Sequence, residues 1–377
     1  MEVNGKSAST CSVMYDLIVI GGGPAGTAAA ISSARTGARV LLLERGRFPR
    51  HKVCGEFVSA ESLGVLENLL DSLHANLLED AIRIDSGQMF IEGRVLRMPV
   101  VPPAASVARL DLDEGLWRSA VSCGVDGLQQ VVVQRITGAG PFTVSASSGD
   151  YEGRAVVNAS GRWSNLTAKA WKQRAGGEKW IGLKAHFAEM EPPRSVDLYF
   201  FEGGYCGVQP VQLRGELGPE RVNACAMVKA DVASSIEEVL ALHPALWERA
   251  RNWKILSDPI SVGPLLFRKP QPEAESVFMV GDAAAFVDPF IGDGISLALR
   301  SGVLAAENLM PFYAGKIDLE RAVSSYAEQY RRRLAPVFQA SSKIRRVLNW
   351  PRSLRAPILF LLENTPRMTQ QLVRMTR

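Results

Sequence analysis

The sequence predicts an α/β protein in which a Rossmann-like, mostly parallel sheet is interrupted by a smaller antiparallel sheet and followed by a helical tail. Three observations lead there. Residues Tyr15 to Ile20 form an apolar strand that runs into Gly21-Gly22-Gly23-Pro24-Ala25-Gly26, an Ala-rich helix ending near Gly37, and a second strand at Val40 to Leu43, the βαβ opening. Period-2 alternation around Ala81 to Val101 and from Lys184 to Val228 marks antiparallel strands, with turns expected at Gly87, Gly93, Gly203-Gly204 and Gly218-Pro219. A buried strand at Val277 to Val280 and a helix from Ile295 to Leu309 then return to the first pattern, so the second sheet is read as an insertion.

Composition bounds the rest. The 377 residues are 47% hydrophobic and 22% charged, with a net charge of +4, which excludes disorder, collagen and disulfide-stapled scaffolds and allows a sizeable core. The five cysteines (Cys11, Cys54, Cys123, Cys206, Cys225) are odd in number and contain no C-x-x-C pair. They suggest a reducing, cytoplasmic setting and no metal site. No apolar run approaches the roughly 20 residues of a membrane span, and no secretory signal is expected from the polar stretch before Met14.

Between these landmarks, Arg45 to Ser59 is a basic loop containing Gly and Pro, followed by an amphipathic helix at Ala60 to Leu70. A helix at Leu112 to Cys123 and strands at Gln129 to Val133, Phe142 to Ala146 and Ala155 to Asn158 complete the first half. The expected division is a discontinuous dinucleotide-binding domain (12–80, 104–182 and 260–310), a substrate domain (81–103 and 183–259) and a basic helical region (311–377).

The glycines stand where the chemistry needs them. In G-x-G-x-x-G, Gly21 permits the tight turn, Gly23 lets backbone amides approach a pyrophosphate and Gly26 lets the helix pack closely. Pro24 and Ala25 open that helix, whose N-terminus favours phosphate. Glu44 ends the second strand, where a carboxylate accepts both ribose hydroxyls of an adenosine, and Arg45 follows it. This fits FAD or NAD and disfavours a 2′-phosphate. A second cluster separates the two: Val280-Gly281-Asp282-Ala283-Ala284 puts a carboxylate at a strand end, suited to a ribityl chain. Pro289 to Ile295, with Gly292 and Gly294, aims amides at a flavin edge. A plain helix cap and turn would account for either cluster alone, but less readily for both.

With these residues in view, the sequence resembles the FAD-dependent oxidoreductases of the p-hydroxybenzoate hydroxylase fold, nearest the geranylgeranyl-reductase-like and flavin-halogenase-like branch. The motifs that carry the resemblance are Gly21 to Gly26 with Glu44, Phe48 to Glu56, Arg109 with Asp111, Asn158 to Arg162, Gly281 to Ala284 and Pro289 to Gly294, spread over about residues 15 to 310. The resemblance implies FAD, contacted by Arg109, unless that arginine only pairs with Asp111 or Asp113. It places the Cys54-Gly55 loop beside the flavin ring, making Cys54 a candidate proton relay tuned by His51, Lys52 and Glu56, or else a packed small residue. Gly203 to Pro210 resembles the segment lining the substrate cavity, with Tyr205 as a substrate contact and Tyr199, Phe200 and Phe201 making the pocket apolar, or else is a strand end with core aromatics. His186 and His243 have no evident partner and read as structural or surface residues.

Two departures shape the expected activity. Ser160-Gly161 replaces the Asp-Gly of hydroxylases that take hydride directly from NAD(P)H, so reduction by NAD(P)H directly or by a partner flavin reductase stays open. The Trp-x-Trp-x-Ile-Pro signature of halogenases is absent, which disfavours halogenation. The expected function is monooxygenation of an apolar, polyketide-like or aromatic secondary metabolite. Reduction of C=C bonds in a prenyl lipid and a non-catalytic flavin-binding scaffold are the alternatives.

The last 47 residues, Arg331 to Arg377, hold eleven basic residues and one acidic, Glu363, so a mildly charged total conceals a basic tail on an acidic body. Apolar faces broken at Pro351, Pro357 and Pro366 suit either packing on the body or peripheral contact with an anionic membrane. Nucleic acid is not an expected partner, since no recognised module accompanies the charge.

Overall fold

The computed structural model describes residues 14–162, 166, 178–215 and 220–365. The expected turn at Gly218-Pro219, the N-terminal stretch and the arginines at 367, 374 and 377 lie outside these residues. The strand Tyr15–Ile20 is flanked in parallel by Val40–Glu44 and Gly149–Asn158, and Val277–Met279 extends the same side. Being covered on both faces, these strands have no polar alternation: Leu17, Ile18, Leu41 and Leu42 are fully inaccessible. Each such side chain contributes about 1.5–3 kcal/mol of burial. The helix Pro24–Ala34, started by Pro24 at a position that needs no amide donor, packs against the long helix Gly294–Tyr313.

The second sheet is nine-stranded. Its centre is the antiparallel run Trp180–Ala188, Arg221–Lys229, Gly204–Pro210 and Ser195–Phe201. Ser195–Phe201 then pairs in parallel with Ile82–Ile91, which forms a hairpin with Arg94–Ser106. The strand Phe57–Val58 joins the edge of this sheet, so the loop carrying Cys54 ends in the antiparallel layer.

Several boundaries differ from the sequence expectation. Gly87 lies within the strand Ile82–Ile91, with Val196 packed over it, and makes no turn. The strands near Gln129 are two, Asp126–Gln129 and Val133–Gly138, with Gln130 at positive φ between them. Pro357 sits inside the helix Arg352–Asn364, whereas Pro351 does separate it from Ala335–Leu348.

The helices after residue 318 lie on the body, and their charge is largely answered there. Arg331 pairs with Glu273, Arg333 with Glu307, Arg345 with Asp288, and both Arg352 and Arg355 with Glu92. Arg94 returns the contact to Glu363. No helix among the described residues is long and apolar enough to cross a membrane.

Candidate functional site

A cavity of about 940 Å³ runs between the two sheets. One end is built by the turn after the first strand. A Cβ on Gly26 would sit 1.8 Å from the carbonyl oxygen of Gly21, so only glycine lets the helix approach the strand end this closely, while the space beside Gly23 is open to 4 Å. Glu44 is buried and ordered: its Oε2 accepts from the Gly22 amide at 2.8 Å and its Oε1 from the Gly46 amide at 2.7 Å. Arg50 pairs with the same carboxylate at 2.9 Å. Burial opposes the charge, but Arg50 and the two amides hold the carboxyl below its usual range.

At mid-cavity, Gly281-Asp282-Ala283 forms a short 3₁₀ turn after the strand Val277–Met279, and Asp282 pairs with Arg162 at 3.2 Å. Gly292 is left-handed, φ +71°, and leads to the helix that opens at Gly294 and Ile295. The leading amides of a helix have no carbonyl within it to bond, and here they border the cavity. Thus Gly21, Gly23, Pro24, Ala25, Glu44, Arg45, Arg109, Gly281, Asp282, Gly292, Gly294 and Ile295 all line one continuous space, and Gly26 stands directly behind it. The open glycine surface, the fixed carboxylate and the amide edge fit the pyrophosphate, adenosine and isoalloxazine parts of FAD in turn.

The loop after Glu44 contains more machinery than its sequence announced. Glu56, fully buried at φ +62°, accepts from Lys184 and from the Arg109 backbone amide (2.8 Å) on one oxygen and contacts His186 Nε2 at 2.9 Å on the other. Burial alone would raise this carboxyl; Lys184 and then His186 reverse the effect and hold it at about 2. His186 is therefore structural rather than a surface residue, and its part as a core partner of the site loop was not visible in the sequence. It was hidden because its partner lies 130 positions away. His243 does keep a structural role, capping the helix Pro244–Ala250 through its ring nitrogen.

Cys54 lines the cavity and is held from two directions: its Sγ accepts from the Glu56 amide at 3.4 Å, and its carbonyl accepts from Asn223 Nδ2 at 2.9 Å. Arg109 makes a bidentate pair with the inaccessible Asp113, at 2.7 and 2.6 Å. Although burial works against its charge, Asp113 raises its affinity for the proton. Asp111 instead accepts from the Arg214 amide. His51 borders the cavity edge-on to His186, 5.4 Å between ring centres, and burial with the nearby Lys184 pushes its imidazole down, favouring the neutral ring. Lys52 is lowered to about 8, first by burial and then by Arg50 and Arg109.

Beyond the loop the cavity becomes an apolar chamber. Its walls are Met89, Met98, Val100, Val196, Leu198, Met227, Leu265, Phe286 and Phe290, together with Tyr205. Tyr199, Phe200 and Phe201 do not line it: Tyr199 faces the opposite side of the sheet, stacked on Phe90 at 4.5 Å and bonded to Arg249. Period-2 alternation places Tyr199 and Phe201 on the face opposite Leu198, while Phe200 shares the face of Leu198 and packs against Tyr205 and Phe290, 5.3 and 6.4 Å between ring centres. The methionines and valines were not legible as a chamber, since four separate strands supply them. No cluster of potential metal ligands occurs among the described residues.

Residues 16–55 match the family model described as FAD dependent oxidoreductase, the segment that contains the glycine turn, Glu44 and the start of the Cys54 loop. In this segment the chain is similar to the FAD-dependent oxidoreductases. A menaquinone reductase of Mycolicibacterium smegmatis is 26% identical to this chain over 363 residues, covering 90% of the chain and 86% of the relative. A tryptophan 2-halogenase of Chondromyces crocatus is 25% identical over 84% of the chain, which spans only 65% of that relative's length. The solved structure of a flavin-dependent brominase superposes with a TM-score of 0.79 at 22% identity, covering 97% of this chain and 93% of the brominase, which shows a shared fold.

Proposed function

We propose that this oxidoreductase acts on an extended apolar metabolite, and that its reaction is the reduction of a carbon–carbon double bond in a prenyl-type chain. The observation that carries the reading is the continuity of the FAD-fitting surface with a chamber walled by methionine, valine and phenylalanine, with Cys54 at the junction. An apolar chain entering this chamber leaves water with a gain of about 25 cal/mol per Å² of buried surface. Bound FAD, once reduced, supplies hydride equivalents; the chain's own groups bind, orient and protonate. Cys54, fixed by the Glu56 amide and Asn223, stands where a thiol proton can be delivered to a substrate carbon. The menaquinone reductase, matched along most of both chains, supports reduction.

A second reading, monooxygenation of an aromatic or polyketide-like metabolite, is favoured by the fold shared with the brominase along nearly the whole of both chains and by the phenol of Tyr205 in the chamber wall. The earlier preference for monooxygenation over halogenation finds no support in the relatives, among which a halogenase is prominent. The electron donor, NAD(P)H directly or a partner flavin reductase, and a peripheral membrane contact through the basic helices are carried forward as parts of the proposal.

Anaerobic turnover of dithionite-reduced holoprotein with a polyprenyl quinone separates the readings. Hydrogenated product formed without oxygen is expected, and a strict requirement for oxygen would overturn reduction in favour of oxygenation. Cys54→Ala is expected to retain FAD and lose about 10²- to 10⁴-fold in turnover, the usual contribution of a positioned proton donor. Unchanged turnover would return Cys54 to a packing role.

A further inference from the structure

Behind Tyr205 the chamber wall is polar and charged in a way that the proposed reaction does not use. Tyr205 is 6% exposed and lines the cavity, and its hydroxyl donates to Asp288 Oδ1 across a long 3.4 Å. Asp288 directly precedes the Pro289–Gly292 turn at the flavin-facing edge and is 3% exposed. On its far side, Asp288 Oδ2 lies 3.2 Å from Arg345 Nε, from the helix Ala335–Leu348. The Arg345 guanidinium is held in turn over the Phe267 ring, 3.2 Å from its centre, and within 5.7 Å of Trp180. Ile344, the residue before it, lines the chamber itself.

The charges in this file determine the direction of the hydrogen bond. Burial raises the Asp288 carboxyl to about 6, with Arg345 as the largest opposing influence, so the carboxylate is ionised at neutral pH. Tyr205 is pushed well above its ordinary range by burial, then by Asp288 and the neighbouring Cys225, and keeps its proton. An ionised carboxylate can only accept. The single phenolic proton is therefore directed away from the chamber, and what Tyr205 presents to a ligand is its oxygen lone pairs.

Resting on the reading of this chamber as the substrate site, we infer that Tyr205 is a hydrogen-bond acceptor which selects apolar ligands carrying a hydroxyl donor, and that Asp288 and Arg345 are the positioning residues that fix this polarity. The class of ligand is thereby narrowed from any extended hydrocarbon to one whose ring or chain bears an O–H near the flavin-facing turn, such as a phenol or hydroquinone. A ligand presenting only an acceptor at that place, an ether or ketone oxygen, meets the lone pairs of Tyr205 with its own and leaves both buried oxygens unpaired.

The test compares para-nonylphenol with para-nonylanisole, which share the apolar body and differ in the donor. Binding to the FAD-loaded protein is followed by flavin absorbance and by calorimetry. The phenol is expected to bind about ten-fold tighter than the ether, the value of one buried hydrogen bond. Tyr205→Phe should bring the two within about two-fold. Arg345→Met should lower or invert the ratio while leaving ether binding in place, because Asp288 without its cation takes up a proton and Tyr205 can turn its own toward the chamber. FAD content reports whether each variant is folded, and Tyr205→Phe alone suffices should Arg345→Met fail to fold. Equal binding of both probes to the wild-type protein would overturn the inference and leave the chamber intact as a substrate site. Failure of both to bind would overturn the chamber reading and this inference with it.

Discussion

The two ends of the cavity are built by opposite means. The nucleotide end is made of backbone: glycines that clear space, amides that face it, and one carboxylate, Glu44, tied to two neighbouring amides. The chamber end is made of side chains from strands distant in sequence, closed by Ile344 from a helix near the C-terminus. Backbone sites tolerate no added atom and specify their ligand narrowly, whereas side-chain walls can be exchanged one methyl at a time. A scaffold that keeps one end and varies the other can serve many substrates with one cofactor.

The most severe way to break this contrast is at the backbone end. Gly26→Val is expected to give misfolded, colourless protein, because its Cβ meets a carbonyl oxygen at 1.8 Å. Glu44→Ala together with Asp282→Ala should give folded but colourless protein, measured by the ratio of flavin to protein absorbance. A yellow double variant with stoichiometric FAD would refute the assignment.

Next in size is Glu56, which joins the two ends. Glu56→Gln leaves Lys184 and His186 buried without their counter-charge and is expected to cost about 3–5 kcal/mol of stability. Wild-type stability should show the matching acid limb. The folded carboxyl, held at about 2, lies below the ordinary 4.5. Its contribution is therefore complete above about 4.5 and is lost as pH falls towards about 2. Chemical denaturation across that range checks this, and the limb should shrink in Glu56→Gln.

The smallest effect expected is on cofactor affinity in mild alkali. Burial, Arg50 and Arg109 lower Lys52 to about 8, and a nearby pyrophosphate would favour its charged form, so FAD binding should take up a proton and weaken as pH rises above about 8. Lys52→Met should flatten that slope. A slope unchanged in the variant would remove Lys52 from the nucleotide end.

What could be read from the sequence follows the same division. The turn at Gly21 to Gly26, Glu44, Asp282 and the Gly292 to Ile295 edge were legible because backbone sites write themselves as short, spaced motifs. The helix at Ala60 and the hairpin around Gly93 were legible from periodicity. His186 was not, since a single histidine on an alternating strand says nothing of a glutamate 130 positions earlier. Tyr199 and Phe201 were drawn to the pocket by proximity to Tyr205, although strand register turns both to the other face. The basic tail was visible as a charge imbalance, while its acidic partners on the body, Glu92, Glu273, Asp288 and Glu307, are scattered through the sequence and emerge only on folding.

Glu56 has one further consequence. Its carboxylate belongs to the loop of Cys54 yet is charge-balanced by Lys184 and His186 on the antiparallel sheet, so neither wall of the cavity can shift alone without disturbing the same buried ion. Occupancy at the two ends is then reciprocal in free energy: if filling the chamber displaces this carboxylate and alters the affinity for FAD, filling the nucleotide end alters the affinity for the chamber's ligand by the same factor.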